Sequence, residues 1–225
     1  TDILKGSWAQ YVVMALVIFT IVYGCSRALK ETHIKRRLAW STVSNLSYIL
    51  FGVVLMTPLG LVGALCHMVF HAVMKICSFF CAGSVIYKTG KNYVHELDGF
   101  GRKMPKVFII FAISGFALMG VPGLCGFISK WNLAKAAVES QNTLAYVGVA
   151  ALLVSALLTA MYMMTICVRA FFPGKDFDYD TIREVEDPNW MMILPLVIFA
   201  VAMLVFGLHP QPVIQALESV AAVMQ

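Results

Sequence analysis

The sequence GLVGALCHMVFHAVMKICSFFCAGSVIY, residues 60–87, decides the fold class of this protein. It is long enough to cross a bilayer, which takes about 20 helical residues. Three of its side chains, His67, His71 and Lys75, are basic. An ionisable group at bilayer depth costs several kcal/mol, roughly 2.5–3.5 on insertion scales, so a helix that keeps three of them indicates a function.

The composition extends this interpretation to the whole chain. Hydrophobic residues make up 60% and charged residues 13% of the 225 residues, against about 25% charged residues in soluble domains. The sequence therefore predicts an all-α polytopic protein of the cell (inner) membrane. Six segments are expected to be membrane helices: A (Trp8–Leu29), B (Leu38–Met56), C (Gly60–Tyr87), D (Lys106–Val138), E (Thr143–Phe172) and F (Trp190–Leu208).

Segment D contains a break followed by a lysine. Its sequence GVPGLCG, residues 120–126, combines Pro122 with three glycines: Gly120, Gly123 and Gly126. Because proline removes a backbone donor and clashes with the preceding turn, we expect the helix to be interrupted there. Interrupted helices at membrane depth line protein interiors or water-filled cavities, and they mark transport sites. Lys130, four residues beyond the break, is therefore a candidate ion carrier.

The ionisable residues of segment C lie on one face of a helix. His67, His71 and Lys75 are four residues apart, so neighbours are separated by about 6 Å along the axis. Water can bridge such gaps, and histidine can bind or release a proton near neutral pH. The alternatives are histidines that only pack, or an HxxxH metal pair, which lacks a cysteine or carboxylate to complete its shell. We predict a proton relay with no metal, no cofactor and no catalytic residues.

Lysine and arginine are concentrated at three connections between the segments. Thirteen of the 17 basic residues, including Lys175 and Arg183, lie at the A–B, C–D and E–F connections. Positively charged loops are typically cytoplasmic, so both chain ends are expected on the outer side. The acidic stretch Asp176–Asp187 is expected to be solvated. The predicted organisation is a five-helix repeat (1–172), a cytoplasmic loop (173–189), and a closing helix with an outer interfacial tail (190–225).

Four motifs, in this order along the chain, resemble one family of membrane proteins. They are IKRRLAWSTVS at 34–44, HxxxHxxxK followed by AGSVI at 67–86, LDGFGRKMP at 97–105, and GVPGLCGFISK at 120–130. They resemble the antiporter-like proton-translocating subunits of respiratory complex I, of Mrp cation/proton antiporters and of membrane-bound hydrogenases. The resemblance covers nearly the whole chain. Three positions depart from the family pattern: His33 replaces aspartate, Trp40 replaces tyrosine, and Gly123 replaces a second proline.

The resemblance implies that the chain corresponds to one part of a larger subunit. Members of this family have about fourteen helices, built from two inverted five-helix repeats and flanking helices. Segments A to E resemble the second repeat, and F resembles the closing helix. The chain is therefore expected to be processed from, or to be part of, a longer polypeptide, with the first repeat and its glutamate and lysine absent.

The resemblance and the buried bases together predict a proton-translocating subunit of a redox-driven respiratory or hydrogenase-type complex. Lys130 is the expected terminal carrier, Lys75 the central relay, and His71 and His67 the next carriers through water. One alternative is a Mrp-type Na⁺/H⁺ antiporter subunit. Another is a non-pumping scaffold of a redox complex, against which two unpaired intramembrane lysines argue. The expected partners are other membrane subunits, including the missing N-terminal half, and the lipid bilayer, with no nucleic acid.

The charge distribution makes a testable prediction about topology. Cysteines substituted at Lys35 and Lys103 should react with an impermeant thiol reagent applied from the cytoplasmic side, and a cysteine at Gln141 should react from the outer side. The measurement is labelling in sealed vesicles of known orientation. Reaction of the cysteine at position 141 from the cytoplasmic side would invert the orientation.

Overall fold

The fold is that of a computed structural model, which describes residues 5–174, 177–182 and 184–223, with residue 223 described by its backbone only. Lys175, Asp176, Arg183 and residues 224–225 of the predicted tail lie outside the described residues. The described residues form two short 3₁₀ helices, Val94–Glu96 and Tyr179–Ile182, and nine α-helices: α1 (Trp8–Lys30), α2 (Ile34–Val54), α3 (Pro58–Thr89), α4 (Phe100–Lys103), α5 (Pro105–Met119), α6 (Cys125–Glu139), α7 (Thr143–Phe171), α8 (Trp190–Leu208) and α9 (Gln211–Val223).

The predicted all-α fold with one broken helix is confirmed. Segments A, B, C, E and F correspond to α1, α2, α3, α7 and α8, while segment D is divided into α5 and α6. The start of α3 lies two residues before the predicted one, at Pro58. Proline suits the first position of a helix because its missing N–H has no partner there. The side chain of Thr57 also caps this end by accepting a bond from the Gly60 N–H.

Four helices, α1, α3, α7 and α8, are long and apolar enough to cross a membrane. The α5 helix is apolar but shorter. The α2 helix has a more polar sequence because it carries several buried polar side chains: Ser41, Ser44, Asn45 and Ser47. The crossing of the membrane by α2 and by the α5–α6 pair therefore stays a prediction.

The α3 helix is the centre of the bundle. It packs against α2, α5, α6, α8 and α9, and α1 packs against α2 and α7. His67, His71 and Lys75 of α3 are all buried. The position of α3 therefore places the whole ionisable stripe in the interior. The predicted interfacial location of the tail, now the described part of α9, stays a prediction.

The basic connections meet at one end of the bundle. An antiparallel bridge between His33 and Tyr93 joins the α1–α2 connection to the segment after α3. The Arg169 guanidinium at the end of α7 lies 3.4 Å from the Asp98 carboxylate. The Tyr93 N–H also donates to the Glu96 carboxylate at 3.0 Å, and this bond holds the pKa of that carboxyl below its ordinary value. The side of the membrane that this end faces stays a prediction.

The acidic stretch before α8 does more than interact with solvent. The Asp187 carboxylate accepts hydrogen bonds from the N–H groups of Lys106 and Val107, at 3.3 and 3.4 Å. These N–H groups belong to the first turn of α5. N–H groups in the first turn of a helix have no acceptor within that helix. The expectation that these acidic residues are only solvated is therefore wrong for Asp187.

Candidate functional site

The break in segment D is short and has a specific backbone conformation. The α5 helix ends at Met119 and α6 begins at Cys125. Gly120 and Gly123 have φ angles of 92° and 90°, in the left-handed region that glycine enters without a steric penalty. Gly126, predicted to be part of the break, lies instead in the first turn of α6.

Gly126 is needed for close packing between the two halves of the broken helix. A Cβ atom added to Gly126 would lie 1.8 Å from the Ala117 carbonyl oxygen of α5. No side chain fits there, so the start of α6 can lie directly against the end of α5. The break is also covered by α8, where a Cβ added to Gly207 would lie 2.3 Å from the Gly123 carbonyl oxygen.

Lys130 caps the carbonyl end of α5. Its Nζ donates to the carbonyl oxygens of Leu118 and Met119, at 2.6 and 3.0 Å. The last four carbonyls of a helix have no partner within it, and they carry the negative end of the helix dipole. An ammonium group at this position is therefore stabilised by two charge-assisted hydrogen bonds and by the dipole.

The ring of Tyr48 on α2 lies between Lys130 and the histidines. Lys130 Nζ is 5.3 Å from the centre of the Tyr48 ring, within the range of a cation–π contact. On the same ring, the imidazole of His67 packs with its centre 5.1 Å away. Tyr48 thus links the broken helix to the α3 stripe.

The α3 stripe has the spacing that the sequence predicts. The rings of His67 and His71 stack with their centres 5.8 Å apart. His67 Nδ1 lies 2.9 Å from the Ser129 hydroxyl, next to Lys130 in the chain. Lys75 is 5% exposed, and its Nζ donates to the Leu38 carbonyl oxygen at 3.1 Å. The structure therefore brings all four predicted carriers together, with His67, His71 and Lys75 buried and Lys130 half-buried.

Several polar atoms of this region have no hydrogen-bond partner among the described residues. They are His67 Nε2, both ring nitrogens of His71, and Asn45 Oδ1. Buried polar atoms are almost always hydrogen-bonded in proteins, to protein groups or to ordered water. These four atoms therefore mark where internal water can join the carriers to one another.

Neither lysine of the site takes part in an ion pair in the described part of the chain. The ion pairs found there lie in loops or at helix ends: Lys91–Glu96, Lys135–Glu139 and Arg169–Asp98. Within the same residues, no group of three or more His, Cys, Asp or Glu side chains is arranged to hold a metal ion. The arrangement of lysines and histidines can bind protons and pass them on.

Two residues that connect the site were not predicted from the sequence. Ser129 joins α6 to His67, and Tyr48 contacts both His67 and Lys130. A set of buried hydroxyl residues on α2 and α7 was not predicted either. The spacing of three or four residues between them is a sequence signal of polar helix faces. The set consists of Ser41, Ser44 and Tyr48 on α2, and Ser155, Thr159 and Tyr162 on α7.

The fold and the site together define a multi-pass helical membrane protein with an interrupted helix and buried basic residues. The family described as NADH:quinone oxidoreductase/Mrp antiporter, TM, matches residues 2–159, which is more than half of the chain. The protein belongs to this family. The matched residues include the whole α3 stripe, the break and Lys130.

Individual relatives agree with this assignment. NADH-quinone oxidoreductase subunit N of Desulforudis audaxviator is 31% identical over 86% of this chain and 40% of its own length. A chain of the membrane-bound sulfane sulfur reductase, an archaeal respiratory membrane complex, is 27% identical with a TM-score of 0.79, over 88% of this chain and 32% of its own. A chain of respiratory complex I from Thermus thermophilus is similar in fold alone, with a TM-score of 0.81 and 24% identity. The match covers 95% of this chain and 44% of that chain. The chain thus spans less than half the length of these relatives.

The packing at Gly126 makes a prediction about stability. Gly126→Ala should destabilise the protein by about 1–3 kcal/mol, because the new methyl group overlaps the Ala117 carbonyl oxygen and forces the backbone of the break to move. The measurement is the thermal unfolding midpoint of the protein in detergent.

Gly83→Ala is the matched control for Gly126→Ala. An added Cβ at Gly83, inside α3, meets nothing within 4 Å, so alanine should be neutral or stabilising by up to about 1 kcal/mol. Equal midpoints for the two variants would contradict the tight contact between the two halves of the broken helix.

Proposed function

We propose that this chain is a proton-translocating membrane subunit of a multi-subunit, redox-driven respiratory or hydrogenase-type complex. The observation that carries the proposal is the position of Lys130, whose ammonium group lies on the open carbonyl end of an interrupted helix. Such helix ends bind cations in transporters with broken helices. Here the cation belongs to the protein and can be loaded and unloaded with a proton.

The relay has a geometry that supports this role. Lys75 and His71 are one helical turn apart, and His67 follows at a ring distance of 5.8 Å. These gaps exceed a direct hydrogen bond and match a separation bridged by one or two waters. Ser129 then connects His67 to the helix of Lys130. In this proposal Lys75 is the central relay, the histidines carry protons onward, and Lys130 is the terminal carrier.

Exchange of sodium for protons is the alternative function. The family description includes the Mrp antiporter, and carbonyl oxygens such as those of Leu118 and Met119 are also ligands for hard cations such as sodium. Proton transport driven by a redox reaction is favoured because the relatives by sequence named above belong to oxidoreductase and respiratory complexes. In neither case does the proposal need a cofactor or a metal in this chain.

The proposed partners are other membrane subunits of the complex and the lipid bilayer of the inner membrane. The relatives are longer than this chain, and the described lysines of the site have no carboxylate partner. A carboxylate or negative field from the rest of the subunit, or from a neighbouring subunit, would balance their charge when they are protonated. No nucleic-acid partner is proposed.

Two substitutions at Lys130 test the proposed function without removing the cap of α5. Arginine and glutamine both keep N–H donors for the carbonyls of Leu118 and Met119, but neither can bind and release a proton near neutral pH. Positioned proton carriers contribute roughly 10²–10⁴-fold, so proton translocation should fall at least about tenfold in both variants. The measurement is proton translocation per electron in the assembled complex.

Electron transfer and the amount of assembled complex are the internal controls for Lys130→Arg and Lys130→Gln. Both should stay close to wild type, because the substitutions keep the hydrogen bonds to α5. Full pumping by Lys130→Gln would reduce Lys130 to a structural cap. If the glutamine variant fails to assemble and the arginine variant assembles, Lys130 contributes its positive charge to assembly, and the proposed proton-carrier role is not needed to explain it.

A further inference from the structure

A second set of buried polar side chains runs through the bundle on the other side of α2. These side chains form a continuous series of hydrogen bonds between α1, α2 and α7, here called the hydroxyl thread. Its members are at most 1% exposed: Ser41, Tyr162, Thr159, Cys25, Ser155 and Tyr48.

The first three steps of the hydroxyl thread run from α2 through α7 to α1. The Ser41 and Tyr162 hydroxyls are 2.5 Å apart, and the Tyr162 hydroxyl is 3.1 Å from that of Thr159. Thr159 then reaches the Cys25 thiol at 3.9 Å, the longest step of the series. Each of these groups can both donate and accept a hydrogen bond.

The last two steps of the hydroxyl thread run from α1 through α7 back to α2. The Cys25 thiol and the Ser155 hydroxyl are 2.8 Å apart, and the Tyr48 hydroxyl donates to Ser155 at 2.7 Å. Ser44 joins the same junction, with its hydroxyl 3.2 Å from that of Ser155. The Ser155 hydroxyl thus contacts three other polar side chains.

The two ends of the hydroxyl thread lie beside the two lysines of the site. At one end, Ser41 is three residues after Leu38, the residue whose carbonyl accepts the bond from Lys75, and residues three apart are neighbours on a helix. At the other end, the ring of Tyr48 contacts Lys130. The thread and the histidine stripe therefore connect the same two places by different sides of α2.

We propose that the hydroxyl thread is a second proton route between Lys75 and Lys130, parallel to the one through His71 and His67. The proposal rests on the proposed function of the chain as a proton carrier. The Tyr48 and Thr159 hydroxyls, which donate to the hydroxyl and the backbone carbonyl of Ser155 in the structure, first rotate away from these acceptors. A proton then passes from the Lys75 ammonium to the Ser41 hydroxyl, and each group accepts one proton and passes its own proton on. One proton leaves from the Tyr48 hydroxyl, internal water completes the step to the Lys130 amine, and the hydroxyls then rotate back.

A purely structural clasp between α1, α2 and α7 is the competing explanation. A clasp needs hydrogen bonds only between neighbouring helices, and serine bonds to backbone carbonyls would serve, as Ser44 does with Ile21. The hydroxyl thread instead links side chain to side chain over the length from Ser41 to Tyr48, about 10 Å along α2. Its ends coincide with the two proton carriers.

The test compares single and double variants in the assembled complex that contains the full-length subunit. His71→Ala removes one route and Ser155→Ala removes the other. Two routes of similar capacity predict a roughly twofold loss of proton translocation for each single variant and at least about a tenfold loss for the double variant. A structural clasp predicts that the two losses simply multiply, and two steps of a single route predict that one variant alone abolishes transport. Either of those results would overturn the proposal.

Ser47→Ala is the matched control for Ser155→Ala. Ser47 is a buried serine of α2 whose hydroxyl pairs with Thr20 at 2.9 Å, outside the hydroxyl thread. Combined with His71→Ala, it should cause no loss beyond that of His71→Ala alone. If Ser155→Ala prevents assembly, Tyr48→Phe takes its place, because it keeps the ring between Lys130 and His67 and removes the hydroxyl.

The Lys130→Gln variant separates this proposal from the proposed function. If Lys130→Gln stops pumping while the double variant of His71 and Ser155 continues to pump, both routes between the lysines are wrong, and the proton-carrying role of Lys130 stands. If Lys130→Gln pumps fully, Lys130 is not a proton carrier, and the proposed function and the proton route to Lys130 are both wrong.

Discussion

The structure of this protein depends on how an interrupted helix satisfies the carbonyl groups at its broken end. Water is absent from the bilayer core, and unpaired carbonyls there cost several kcal/mol each. The α5 helix ends at Met119, and the ammonium of Lys130 donates to the carbonyls of Leu118 and Met119. The interruption is therefore stable because a titratable group completes it. In the proposed function, the proton carrier and the structural cap are the same residue.

The packing around this cap follows from the same constraint. Gly126 lets α6 start against the end of α5, and Gly207 lets α8 cover the break. The α3 helix packs against α5, α6 and α8, so its ionisable face is held beside the interruption. The Ser129 hydroxyl then ties His67 to the turn that carries Lys130. Small residues bring the backbones close, and polar side chains hold the facing helices together.

Tyr48 is the point where the two polar systems of the interior meet. Its ring contacts His67 and Lys130, and its hydroxyl belongs to the junction at Ser155. A tyrosine side chain combines an electron-rich ring face, which attracts a neighbouring cation, with a hydroxyl group that forms hydrogen bonds. This double character allows one α2 side chain to serve the lysine and the α7 hydroxyls together.

The sequence by itself determined the membrane class, the interruption of segment D, and the stripe of His67, His71 and Lys75. These features depend on local properties: apolar length, the backbone restriction at Pro122, and the helical repeat of 3.6 residues. The sequence did not show that Lys130 caps α5 or that Asp187 caps its other end. Nor did it show that the hydroxyls of α2 and α7 form one series. Those contacts join residues far apart in the chain, and only the packing of α2, α3, α6 and α7 in three dimensions decides which side chains face one another.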